Sequence, residues 1–141
     1  MEHIGSVTLG QTFVLNSLRF LRPGGVAIHT VELSLSSNAV ALRLPGNSVW
    51  RRQDVEDVFG AARHLGYEVM EPCFGTGDGK LDRVPDTQPY SSDRHIKLVI
   101  DSHVCTSFAM VFRKRLTPRA RIAMRSSGSG QSSRPDTTLA T

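Results

Sequence analysis

Phe13, Val14, Leu18 and Leu21 recur at helical spacing, and the pattern predicts a helix from about Leu9 to Leu21 with Ser6 or Thr8 able to cap its first turn. Pro23 cannot continue that helix, and Gly24-Gly25 supply the left-handed geometry favoured at a helix terminus. A β-branched run from Val26 to Val31 follows, predicting a strand to Glu32 that is buried on both faces, as in a parallel sheet. A second unit of the same kind comes next. Val55, Val58, Phe59, Ala62 and Leu65 mark one face of a helix from Arg52 to Leu65, with Asp54, Glu56 and Asp57 near its positive end. Gly66 stops that helix, and Tyr67 to Glu71 reads as a strand.

Two helix-glycine-strand units in tandem favour parallel strands joined by right-handed crossovers over an antiparallel meander, which makes the chain α/β. Between the units, Leu33 to Val49 is rich in Ser and Asn, carries Pro45 and Gly46, and reads as a long loop. Pro72 to Arg94 also reads as loop and as part of a binding surface. His95 to Asp101 and Val104 to Arg113 are the last two expected strands. Set between or beside the first two, the final strand runs antiparallel to them.

At 141 residues with 39% hydrophobic content, the chain has material for one domain with a soluble core. No long apolar run suggests a membrane span, and Met1 to Ser6 lacks the basic start and apolar core of a secretion signal. Cys73 and Cys105 lie in different elements without metal or redox spacing, as expected of ordinary thiols in a reduced cytoplasmic protein. The net charge of +4 is localised: from Arg113 onward seven basic residues face Asp136 alone, so the remainder is mildly acidic. Residues 115–141 therefore read as a basic, Ser/Gly-rich tail lacking the apolar content to fold. Arg113 to Arg125 could touch nucleic acid through phosphates, in a weak and salt-sensitive way, but no stacking aromatic or recognition motif accompanies them.

Ligands of open α/β sheets sit outside the carboxyl ends of the strands, which singles out His29, Thr30 and Glu32. These residues either line a cleft there or satisfy backbone groups. Asp78, Asp82, Arg83, Tyr90, Asp93 and His95 concentrate polar groups in one loop, where solvation and substrate contact explain them about equally. Gly75-Thr-Gly-Asp-Gly79 invites comparison with a phosphate loop, but no helical pattern follows it, so it reads as a turn. His3, His29, His64, His95 and His103 have no spacing that implies a metal, and no nucleophile elbow or catalytic carboxylate pair can be placed.

Taken together, Glu2 to Ser6, Leu18-Arg-Phe-Leu-Arg-Pro-Gly-Gly25, His29 to Asn38, Trp50-Arg-Arg-Gln-Asp54, Gly77 to Arg83 and Pro89-Tyr90 resemble the C-terminal half of a class I S-adenosylmethionine-dependent methyltransferase. The resemblance spans residues 2 to 114. It implies a partial Rossmann-like sheet holding that fold's fifth, sixth and seventh strands, with the seventh antiparallel between the other two. It also implies that Glu2 and His3 supply one wall of a pocket for S-adenosylmethionine. By position, His3, His29 and Glu32 then stand nearest the reacting groups, Thr30 shares their strand end, and Arg51, Arg52, Asp82, Arg83 and Tyr90 are candidate substrate contacts.

The family's glycine-rich cofactor turn and its ribose-binding acid would both precede Met1, and the Gly75 to Gly79 segment stands in the wrong place to replace them. The expectation is a truncated or split methyltransferase, domain 1–114, active only when completed by its other half. Its strand Val26 to Val31 should then offer an unpaired edge to an N-terminal half chain or to a second copy. The alternative is a non-catalytic α/β module that pairs the same edge with a partner chain.

Overall fold

A computed structural model describes residues 3–38, 42–44 and 47–116 of the chain. Glu2 and the expected tail from residue 117 on lie outside the described residues.

Helix α1 spans Val7–Leu18 and begins where Ser6, in extended conformation, accepts the Leu9 N–H at 3.2 Å on its hydroxyl. It stops one turn before the predicted Leu21, because the chain must reach Pro23 and the Gly24 turn, where φ is +78°. Those glycines are bound to the end of the last strand: Gly24 N–H donates to the Lys114 carbonyl at 2.8 Å, and Lys114 N–H donates to the Gly25 carbonyl at 2.9 Å.

Strand β1 spans Val26–Ser34, two residues beyond the expected end. The expectation of burial on both faces is corrected here. Ala27, His29, Val31 and Leu33 turn toward the helices, whereas Val26 is 47% and Ile28 65% exposed on the opposite face. The β-branched run is continuous, but its cover is one-sided, since both long helices pack on the same side of the sheet.

The predicted loop Leu33 to Val49 contains a hairpin, β2 (Leu42–Leu44) with β3 (Asn47–Val49), paired antiparallel. The short apolar runs on either side of Pro45-Gly46 were the signal for it. Helix α2 covers Arg52–His64, with the Asp54 carboxylate accepting the Arg51 N–H at 2.8 Å at its start. Val55, Val58, Phe59 and Ala62 are buried as the periodicity requires. Leu65 is not: it caps the helix and is 59% exposed, beside the Gly66 turn at φ +87°.

Strand β4 covers Tyr67–Val69, and a single helical turn, α3 (Lys80–Arg83), interrupts the long loop after it. Strand β5 (Leu98–Ile100) meets β6 (His103–Lys114) through Asp101-Ser102, both at positive φ as a tight hairpin turn of this hand demands.

The result is mixed α/β with an open antiparallel sheet. The long β6 is central, with β1 antiparallel on one side and β4 antiparallel on the other, in the order β1-β6-β4. Strand β5 pairs with the first residues of β6. The two helix-glycine-strand units thus send β1 and β4 in the same direction, but β6 lies between them. Parallel pairing among the described residues is confined to single bridges, Leu33 with Trp50 and Asp86 with Leu98. Val14 and Leu18 of α1 and Val55, Val58, Phe59 and Ala62 of α2 close over Val31, Leu33, Phe108, Met110 and Phe112. The Tyr67 hydroxyl crosses this core to donate to the Leu18 carbonyl at 3.0 Å. No helix among the described residues is long and apolar enough to cross a membrane.

Candidate functional site

At its carboxyl end β1 runs into Leu35 to Asn38, and this segment is held by its own polar side chains. Ser36 Oγ accepts the Val104 N–H at 2.8 Å, and Asn38 Oδ1 accepts the Gln53 N–H at 2.8 Å from the first turn of α2. Between the segment, the start of α2 and Phe74 lies a cavity of about 330 Å³. Leu33, Leu35 and Phe74 supply its apolar lining; Ser37, Asn38 and Arg52 give it a polar rim. Phe74 is fixed by stacking on Phe108, with ring centroids 4.9 Å apart and planes 8° from parallel. The Arg52 guanidinium carbon stands 4.4 Å from the Phe74 centroid.

The two neighbouring arginines differ in what they have left to offer. Arg51 is committed to Asp54 through two side-chain bonds, Nε to Oδ2 at 3.0 Å and Nη2 to Oδ1 at 2.6 Å, and that carboxylate raises its already high pKa further. Arg52 donates from Nε to Glu56 Oε1 at 2.7 Å, and among the described residues its terminal nitrogens have no partner.

His29 is half-buried on the helix side of β1, away from the cavity lining. Its Nε2 lies 2.9 Å from Ser17 Oγ, and its ring meets Phe13 and Phe112, each with centroids 6.2 Å away. The single Ser17 hydroxyl proton goes to the Val14 carbonyl at 2.7 Å, so Ser17 accepts from His29, which fixes the proton on Nε2. Desolvation lowers the pKa of this imidazole. Thr30 and Glu32 face the other way, on the side of the sheet opposite α1 and α2. Glu32 Oε1 accepts the Ser107 hydroxyl at 2.9 Å, and Oε2 is buried without a partner among the described residues.

The remaining candidates do not line the cavity. His3 is exposed in the turn before α1. Asp82 Oδ2 accepts the Gly79 N–H at 2.9 Å, and Arg83 is exposed on α3. Tyr90 donates its hydroxyl proton to the Val99 carbonyl at 2.9 Å. A helical turn does begin after Gly79, which the sequence pattern had not suggested, but the Asp82 carboxylate already holds the amide that a phosphate would need. Among the described residues the Gly75 to Gly79 turn is therefore not an open phosphate cradle. No group of three or more His, Cys, Asp and Glu among them could hold a metal ion.

Of the sequence candidates, Arg52 alone lines the cavity. Phe74 falls inside the Pro72 to Arg94 loop read as part of a binding surface, but neither it nor the Leu35 to Asn38 segment was singled out as a site residue. The apolar Phe74 amid Pro, Gly and charge was the available signal, since a lone aromatic in a polar loop seeks a surface to pack on.

In comparisons with known proteins, no family model, curated protein or solved structure matches the chain.

Proposed function

We propose that the chain is the acceptor-side half of a class I S-adenosylmethionine-dependent methyltransferase, which completes a cofactor site only when a second half-domain pairs with β1. The observation that carries this reading is the state of β1. Its odd-numbered residues bond to β6, as Gly25 and Leu35 beyond its ends also do, so the N–H and C=O groups of Val26, Ile28 and Thr30 point outward along an edge that no described residue pairs with. Beside that edge lies the apolar sheet face opposite α1 and α2, where Val26, Ile28 and Met70 are exposed. Two grooves of about 250 and 280 Å³, both lined by Met70 and Val111, cross it. A partner that adds a strand to the edge and a helix to the face would cover both at once.

The order β1-β6-β4, with the last strand antiparallel in the centre, agrees with the arrangement expected of this family's final three strands. S-adenosylmethionine would supply the methyl group when bound by the completed domain. This chain's own part is to present and align an acceptor at the carboxyl end of β1. The test is equilibrium binding of S-adenosylmethionine to the chain joined to an N-terminal half-domain bearing the glycine turn and acidic strand end. Binding by the joined protein supports the reading, and its absence overturns it.

The same edge and face also suit a module that only pairs with a partner chain. That reading gains if the chain associates through β1 and the joined protein takes no cofactor.

A further inference from the structure

Among the described residues, the cavity at the end of β1 is lined by a single charged side chain, Arg52, over an apolar floor. Arg51 is held bidentate by Asp54 and does not line the cavity, whereas Arg52, which does, gives Glu56 only its Nε edge and keeps its terminal nitrogens. Contact with Phe74 holds that guanidinium in place, so little side-chain freedom remains to be lost when an anion binds. The Gln53 amide in the first turn of α2 is not available, because the Asn38 side-chain oxygen accepts from it. With one guanidinium and no glycine among the described lining residues, the site suits a single negative charge of carboxylate shape, which a guanidinium fork meets with two parallel bonds. Leu33, Leu35 and the Phe74 edge leave room for a short apolar body, in a cavity near the small end of the range for ligand pockets.

We infer that this cavity binds a small carboxylate with an apolar body, its carboxylate on the terminal nitrogens of Arg52 and its body against Leu33, Leu35 and Phe74. Calling that ligand the methyl acceptor rests on the functional reading above; the binding itself does not. Glu56 competes for the same guanidinium and weakens the site, which gives the inference a test in both directions.

The probe is benzoate, with benzyl alcohol as a neutral control of nearly the same size, titrated into the full chain and followed by amide chemical shifts. Benzoate should bind in the millimolar range suited to so small a ligand and move the amides of Leu33 to Ser37 and Phe74. Arg52→Gln should weaken it about tenfold, toward the level of benzyl alcohol, and Glu56→Gln should tighten it. Both positions are solvent-exposed to a degree that leaves the fold intact. Equal binding of the two probes, shifts confined to another surface, or no response to either substitution would overturn the inference. None of these outcomes depends on cofactor binding by a completed domain, so the two proposals fail separately.

Discussion

Trp50 is bonded to β1 on the edge that faces away from β6: its N–H donates to the Glu32 carbonyl and its carbonyl accepts the Ser34 N–H, both at 2.8 Å. The bridge is parallel and one residue long. It closes the carboxyl end of that edge with the chain's own backbone and leaves the preceding residues, Val26 to Thr30, for something else to pair with. It also sets the floor of the fold at this point, since the indole of Trp50 is fully buried against α1.

That packing gives a contrast between two helical glycines. A Cβ at Gly10 would sit 2.6 Å from Cζ2 of Trp50, a rigid ring with no space to retreat, whereas one at Gly60 would meet nothing within 4 Å. Gly10→Ala is expected to destabilise by about 1–3 kcal/mol through overpacking. Gly60→Ala should instead stabilise by about 0.5–1 kcal/mol by restricting the unfolded chain. Urea unfolding of the two variants checks both signs.

Tyr67→Phe removes a buried donor from the Leu18 carbonyl while keeping the ring in the core. The carbonyl left without its partner is expected to cost about 1–3 kcal/mol, read as a lower denaturation midpoint at an unchanged slope.

The lowered pKa of His29 makes stability pH-dependent in a fixed direction. The unfolded imidazole titrates near 6.5 and the folded one below it, so the unfolded chain binds more protons in between. Stability from this group is complete above about pH 6.5 and is lost as pH falls through the lowered folded value. His29→Gln should flatten that part of the pH profile of thermal unfolding.

The thiols should also separate. Burial, with the Glu32 carboxylate adding to it, pushes the Cys105 thiol up to about 11, while Cys73 is exposed. Iodoacetamide at pH 8 is expected to modify one cysteine in the native protein and two in denaturant, as read by mass spectrometry. Rapid double modification of the native chain would contradict the burial of Cys105.

The elements with strong local signals were legible in the sequence. The Ser6 cap, the apolar faces of α1 and α2, the Gly24 and Gly66 stops and the long last strand follow from periodicity and glycine chemistry alone. What was not legible depended on partners distant in the chain. Whether Val26 and Ile28 are covered is decided by which face α1 and α2 choose, and a β-branched run looks the same with one cover or two. His29 stood at a position where a ligand group would stand, yet Ser17 and the rings of Phe13 and Phe112 take it on the covered face. Arg51 and Arg52 are adjacent and chemically identical in sequence. Only the spacing of Asp54 and Glu56 makes one a bidentate ion pair with Asp54 and the other a cation held to Glu56 by Nε alone.

The most direct measurement is residue-resolved amide exchange along β1, in the chain alone and joined to an N-terminal half-domain of the methyltransferase type. In the chain alone, Ala27, His29 and Val31 should be protected by β6 while Ile28 and Thr30 exchange quickly. In the joined protein Ile28 and Thr30 should become protected as well, because a strand now pairs with them. Fast exchange at both residues after joining would contradict the claim that this edge receives the missing half of the sheet.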